Sequence, residues 1–523
     1  MPIATPLPLG PRAGRRFLLA LFAAASLDSA TLTAVPLSPA PLAAQTPARP
    51  EAPAGAPGTA GSQGTTLAVP TEEATDAAGG GGEPQAGSAL GSGDANVASP
   101  NELLTFEIDH VLRESVGPRA SAGALVVSLA RGDTLYALNA GRLLEPASNV
   151  KLFTTAAALH YLGPRYIFRT ILSGTGPVES GVLRGDLVLQ GRGDPNLSGR
   201  FYADSMPYAF DRLAENLRQK GVTRVAGDLV ADDSYFEGPA LGEGWAWDTQ
   251  QWWYSAESDA LSFNDNTITL IAEPGPRPGE PARIVKVPET DYVTVQNEVE
   301  TVRGRSGSAI AVRRDPGSND VTVTGRVAAR SGGTSTIVSV HDPALFAASV
   351  FRDRLERAGI EVEGGVRRLE ADEDPEAQAK WTVLAMHLSP PLAEVVKVVN
   401  KRSQNFYAEQ LLKTIGAEVR GRGSAEAGIA AVDQFLRSQA GLEPGSIYMV
   451  DGSGLSRLNL VTPAAIVKLL SYMRTHPAAQ EFYDSLLVPG ENAQAGRLDE
   501  PLTRATCTPR PGPCVTSRLI RDT

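Results

Sequence analysis

Lysine is nearly missing from this sequence. Of 48 basic residues in 523, eight are lysine, and none precedes Lys151. The arginine excess looks like a genomic coding bias and carries no functional reading. Cysteine is rarer still: Cys507 and Cys514 both fall in the last seventeen residues. A chain of this length without a disulfide framework rests on its hydrophobic cores, and the pair can close at most one small loop. The five histidines, at 110, 160, 341, 387 and 476, show no His-Glu-x-x-His spacing, which removes the common zinc-hydrolase pattern. A Gly-x-x-x-x-Gly-Lys phosphate loop is absent, and the Asp-rich turns do not match the EF-hand ligand spacing. The formal net charge of -11 argues against a nucleic-acid partner, which needs a basic face. Beyond the N-terminus no segment approaches ~18 uninterrupted apolar residues, so no integral membrane span is expected in the mature chain.

What is there reads as a globular protein, 42% hydrophobic and 20% charged. Its length calls for two to four domains at roughly 100–200 residues each. Arg12, Arg15 and Arg16 precede the apolar run Phe17 to Ala25, and small residues follow to Ala44. That is the layout of a secretory signal peptide over residues 1–44, which would place the mature protein in the periplasm or outside the cell. A retained apolar tether is the other reading. Residues 45–100 are rich in Pro, Gly and Ala and poor in large apolar side chains. Such a linker cannot offset its ordering entropy and is expected to be disordered.

Folded sequence starts near Asn101 with a helical pattern that puts Leu103, Phe106, Val111 and Leu112 roughly on one face. The runs ALVVSLA and TLYALN follow as a hairpin about the turn at 131–133. Short strands with Gly/Asp/Pro turns dominate from about 171 to 381, and the pattern turns helical again after about 382.

The first lysine sits in EPASNVKLFTTAAALHYLG, residues 145–163. Pro146 suits a first helical turn and Gly163-Pro164 suits its end. The residues between are apolar nearly all round, so this helix is expected to be buried. Ser148 and Lys151 are three apart and share a face. Desolvation disfavours a charged ammonium and lowers its pKa, and a partly neutral lysine can take the proton of a serine hydroxyl. The helix N-terminus adds a favourable field for developing negative charge. The pattern predicts serine acyl transfer with Ser148 as nucleophile and Lys151 as base. A purely structural reading makes Ser148 an N-cap and lets Lys151 reach for solvent.

Two further stretches carry polar groups suited to such a site. Ser403-Gln404-Asn405 leads into a helical segment, and offers a hydroxyl that can pass a proton and an amide that can hold substrate. Ser-x-Asn also occurs at Ser99 and Ser262, and a simple polar turn is the alternative. DGSGLSRLN, Asp451 to Asn459, has two glycines that allow a sharp turn, or it is an ordinary loop before the next helix.

Taken in order, these elements resemble the class C low-molecular-mass penicillin-binding proteins, the D-alanyl-D-alanine carboxypeptidase/endopeptidase family related to penicillin-binding protein 4. SNVK at 148–151 and SQN at 403–405 resemble the first two of three signature motifs. LFTTAAALHYLGP, FYAEQLLK, GDLVLQGRGDPNLS, ALSFNDNTITL and DGSGLSRLNLVTP resemble further family segments. The similarity covers about Asn101 to Gly490, and the 255-residue gap between Ser148 and Ser403 fits the family's large insertion.

The resemblance implies an α/β (α+β) penicillin-binding/β-lactamase-like transpeptidase fold, an antiparallel sheet with a buried central helix. Residues 101–170 and 382–523 would build it, with mostly-β inserted domains over 171–381. It also implies roles. Ser148 attacks the penultimate D-Ala carbonyl of a peptidoglycan stem peptide, and its backbone amide donates half of an oxyanion hole. Lys151 is the general base, Ser403 relays a proton to the leaving amine, and Asn405 binds the substrate amide. β-Lactams would be covalent inhibitors, and no cofactor is implied.

The third motif, Lys-Thr-Gly, is absent from the chain. Lys413-Thr414-Ile415 comes too early and lies in a helical pattern. AGRL at 495–498 resembles a remnant of the segment that precedes the motif, and Thr516, Ser517 and Arg518 stand where the motif is due. The aperiodic tail after Gly490 leads to the expectation that a frame shift or truncation has altered this end. The alternative function is a non-catalytic peptidoglycan-binding or scaffold relative. A secreted esterase or β-lactamase-like hydrolase on the same fold is a third.

Overall fold

The structure, a computed structural model, describes residues 18–24, 100–116, 120–370 and 378–487. The linker at 45–100 up to its last residue, both cysteines and the segments at 495–498 and 516–518 lie outside the described residues. Everything described belongs to one compact unit.

The first sheet has three strands. β2 (Ser121–Val127) and β3 (Thr134–Leu138) form the expected antiparallel hairpin. Leu18–Ala24, the apolar core of the signal-like segment, is strand β1 and pairs antiparallel along β2, Leu18 opposite Val127 and Ala24 opposite Ser121. An open sheet edge satisfies the backbone of a short apolar run, whichever export role its sequence suggests. Helix α1 (Pro100–Val116) packs Ile108 and Leu112 against Ala124, Val126 and Leu135 of the hairpin. Its buried stripe differs from the one the sequence suggested: Phe106 and Leu103 face solvent. The pair four residues apart, Ile108 and Leu112, is the one that meets the sheet.

A 3₁₀ turn, Ala147–Asn149, leads into α2 (Val150–Tyr161). All but three of its twelve residues are buried, as its apolar composition requires. The insertion follows. Its largest sheet runs in the order Val366–Arg368, Leu229–Asp232, Leu187–Gln190, Arg169–Gly174, Thr382–Leu388. Helices α3 (Tyr208–Gln219) and α4 (Pro343–Arg357) cover a core that includes Phe210, Phe263, Phe346 and Phe351. Arg169–Gly174 pairs antiparallel with Thr382–Leu388, so the chain enters and leaves the insertion side by side. The expected crossing points at 170 and 382 therefore fall inside this strand pair.

The helical remainder encloses α2. It comprises α5 (Leu392–Lys401), α6 (Asn405–Arg420), α7 (Ala425–Ser438), α8 (Pro463–Met473) and α9 (Ala479–Ser485). Phe153, Leu159, Val395, Phe406, Leu411, Phe435 and Leu469 fill one core between them. α6 is buried over twelve consecutive residues, Asn405 to Gly416, because α2, α7 and the insertion all pack against it.

Candidate active site

Ser148 and Lys151 meet as their spacing requires. The 3₁₀ turn presents Ser148 at the mouth of α2, half-buried, while Lys151 one turn on is 2% exposed. Ala147, just before the serine, has φ 46, a left-handed value that a residue with a Cβ adopts only under constraint. Gly454 supplies part of the constraint. It packs so closely that a Cβ there would lie 1.9 Å from the Ala147 carbonyl oxygen.

Lys151 Nζ donates to Ser148 Oγ at 3.1 Å, to Asn405 Oδ1 at 2.7 Å and to the Ser453 carbonyl oxygen at 2.7 Å. Those three bonds use all three protons of an ammonium. Burial pushes its pKa down to about 8, although the carboxylates of Asp451 and Glu409 pull it back up. In the neutral amine two N–H groups remain for the two carbonyl oxygens. The lone pair is then left for the Ser148 hydroxyl, which is the arrangement a general base needs.

Ser403 closes the triad of side chains. Its Oγ donates to Ser148 Oγ at 2.8 Å from the turn between α5 and α6, where its φ of 54 is also left-handed. Asn405 opens α6 with both ends of its amide engaged: Oδ1 on Lys151, Nδ2 donating to the Tyr254 carbonyl oxygen at 2.8 Å. The four residues expected from the sequence thus converge on one oxygen. Asn405 reaches it through the lysine, and in this structure holds the base.

DGSGLSRLN, by its sequence a sharp turn or an ordinary loop, lines the site, and Glu409 holds it there. The loop carries Ser453, whose carbonyl oxygen receives Lys151, and Gly452, whose carbonyl oxygen receives Thr154 Oγ1 from α2 at 2.7 Å. Glu409 of α6, 3% exposed, accepts from the backbone N–H groups of Gly452 and Ser453. Burial and the neighbouring Asp451 push the Glu409 pKa up to about 7. Asp451 in turn accepts from the N–H groups of Gly454 and Ser456, from Asn459 Nδ2 and from Trp245 Nε1 of the insertion.

A serine hydroxyl with a buried lysine and a second hydroxyl both on its oxygen are the groups that serine acyl transfer requires. The D-Ala-D-Ala carboxypeptidase 3 (S13) family matches residues 104–512, a span that runs on into the tail. The chain belongs to that family. The D-alanyl-D-alanine carboxypeptidase of an Actinomadura species is 35% identical over 76% of this chain and 73% of its own length. D-alanyl-D-alanine carboxypeptidase DacB of Haemophilus influenzae is 26% identical over 75% of this chain and 80% of its own. The crystal structure of penicillin binding protein 4 from the same organism superposes with a TM-score of 0.62 at 26% identity, covering 75% of this chain and 83% of that one. Family membership makes the chain a serine D-Ala-D-Ala carboxypeptidase, similar to penicillin-binding protein 4. Its transpeptidase-like fold carries the insertion between the first and second motifs.

Proposed function

We propose that this chain removes D-Ala from peptidoglycan stem peptides through an acyl-enzyme at Ser148, after export under its N-terminal signal to the periplasm or beyond. The observation that carries the reading is the environment of Lys151: buried, depressed in pKa, and held by two carbonyl oxygens with Ser148 Oγ as its third partner. Ser148 Oγ adds to the carbonyl carbon of the penultimate D-Ala while its proton passes to Lys151 Nζ. The C–N bond then breaks, and the proton returns through Ser403 Oγ to the leaving amine. Water cleaves the resulting ester, restores the Ser148 hydroxyl and frees the shortened peptide. A β-lactam opens by the same first step, and its amine stays tethered to the acyl group.

The second reading, a relative that binds peptidoglycan without turnover, is not favoured by the family match, although the sequence carries no Lys-Thr-Gly. Labelled penicillin separates the two. Stoichiometric adduct on Ser148 by mass spectrometry, absent in Ser148→Ala, with D-Ala release from a pentapeptide, supports catalysis. A folded protein with neither label nor release supports the binding relative.

A further inference from the structure

The insertion grips two of the three residues of the Ser403-Gln404-Asn405 turn. Asn405 donates to the Tyr254 carbonyl oxygen. Gln404, 6% exposed, donates from Nε2 to Asp265 Oδ2 at 2.9 Å, while its Oε1 accepts from the Phe406 N–H. Asp265 is itself fixed by a two-point ion pair: Arg200 Nη1 reaches Oδ1 at 2.9 Å and Nη2 reaches Oδ2 at 2.6 Å. Arg200 Nη1 also donates to the Tyr407 hydroxyl at 2.7 Å, two residues past Asn405.

The backbone that presents Asp265 is strained. Asn264, Asp265 and Asn266 have φ of 50, 56 and 55, three consecutive left-handed residues, none of them glycine. Such a turn persists only where its surroundings over-determine it. Here Asn266 Nδ2 binds the Glu257 carbonyl oxygen and Ser262 Oγ, Asn266 Oδ1 takes the Phe263 N–H, and Asn264 Nδ2 binds the Thr267 carbonyl oxygen. The side chain this turn projects goes to the flank of Ser403, itself a left-handed residue other than glycine.

We propose that Asp265 is a positioning residue for the reaction: through Gln404 it holds the turn that keeps Ser403 Oγ on Ser148 Oγ. The insertion is thereby a working part of the catalytic site. This rests on the acyl-transfer reading, but the clamp can be tested apart from it.

Two variants carry the test. Gln404→Met removes the link and leaves the Arg200–Asp265 pair intact; Asp265→Asn removes the charge at its source. Glu273→Gln, on the exposed pair with Arg283 in the same insertion, is the control. Hydrogen exchange of residues 401–408 is expected to speed at least tenfold in Gln404→Met and Asp265→Asn, with strand Thr267–Glu273 and α2 unchanged. Penicillin acylation is expected to slow roughly 10–100-fold, the usual consequence of a catalytic group moved by about 1 Å. The double variant should acylate no more slowly than Gln404→Met alone, because both act on one link. A folded Gln404→Met with wild-type exchange at 401–408 overturns the proposal, and so does a double variant whose loss is the product of the single losses. Should Asp265→Asn fail to fold, Gln404→Met decides. Should the wild type take no penicillin label, the acyl-transfer reading falls, and the exchange result alone decides the clamp.

Discussion

In the proposed reaction Lys151 acts only when neutral, and its burial sets how often that happens. With a pKa near 8 in place of 10.5, about a tenth of the amine is free base at pH 7, against roughly one part in 3,000 for an exposed lysine. Penicillin acylation is therefore predicted to rise about tenfold per pH unit up to pH ~8 and level off above it. A rate constant flat from pH 6 to 9 would exclude Lys151 as the base. Lys151→Arg keeps the charge but cannot release its proton, so it should acylate at least ~10³-fold more slowly. The same shift works against stability. The unfolded chain holds this proton up to about 10.5 and the folded chain only to about 8, so the stability present above that window is lost as pH falls through it.

Asp194 shows the opposite sign. It is buried, its Oδ1 accepts from the Asn196 backbone and side chain, and its Oδ2 meets no partner among the described residues. Burial raises its pKa from 3.8 to about 6. Its contribution to stability is present below pH ~4 and lost as pH rises through 6, because the unfolded chain gives up the proton first. Asp194→Asn keeps the Oδ1 acceptor and removes the buried charge. It is predicted to raise the melting temperature by about 1–3 °C at pH 7.5 and to leave it unchanged or lower at pH 4.5. Thermal melts at the two pH values check this; an equal shift at both would mean that charge is not the cause. Ser148 and Lys151 were legible in the sequence because three-residue spacing on an apolar helix leaves little freedom. Asp194 was not, since nothing in GRGDPNLS tells which turn will be dry.

At the scale of elements, the site is one helix mouth closed by one loop. The 3₁₀ turn contributes Ser148 and α2 contributes Lys151 and Thr154; the loop Asp451 to Asn459 receives Lys151 and Thr154 on its carbonyl oxygens; Glu409 on α6 fixes the loop by its N–H groups. Glu409→Gln offers one carbonyl oxygen and turns an NH₂ towards the other donors. Acylation is predicted to fall about tenfold, with a loss on the order of 1–3 kcal/mol from the unsatisfied buried groups. The pH midpoint should move down, because a carboxylate that raises the lysine's proton affinity is gone while Asp451 remains. Unchanged acylation and midpoint in a folded Glu409→Gln would remove the loop from the account. Sequence periodicity identified α2 and the helix after Ser403. It could not identify Glu409, whose partners are backbone N–H groups 43 and 44 residues away and leave no side-chain signature. For α1 it placed Leu112 on the buried face correctly but Leu103 and Phe106 wrongly, because amphipathic spacing there admits two faces and only the hairpin selects between them.

For the whole molecule, the question is whether the insertion and the catalytic body are one cooperative unit. The strand-rich middle and its helical flanks were legible in composition and periodicity, but their mutual dependence was not, because it lies in contacts between residues over a hundred positions apart. Lys413 of α6 donates to the carbonyl oxygens of Pro239 and Ser258 in the insertion. Gln410 is bonded to Ser258 and Asp259, Asn405 to Tyr254, Tyr407 to Arg200, and Asp451 to Trp245. Most of these groups are buried, so parting the two cores would strand them without partners. The five tryptophans, at 245, 247, 252, 253 and 381, give a direct test: none belongs to the helices around α2. Their fluorescence reports the insertion, whereas far-ultraviolet circular dichroism at 222 nm weights the helices, which lie mainly in the catalytic body. Urea unfolding followed by the two probes is predicted to give coincident transitions with one midpoint. Were fluorescence to change first, with the helical signal intact, the insertion would be a separable domain. The contacts on α6 would then be too weak to make it part of the active site.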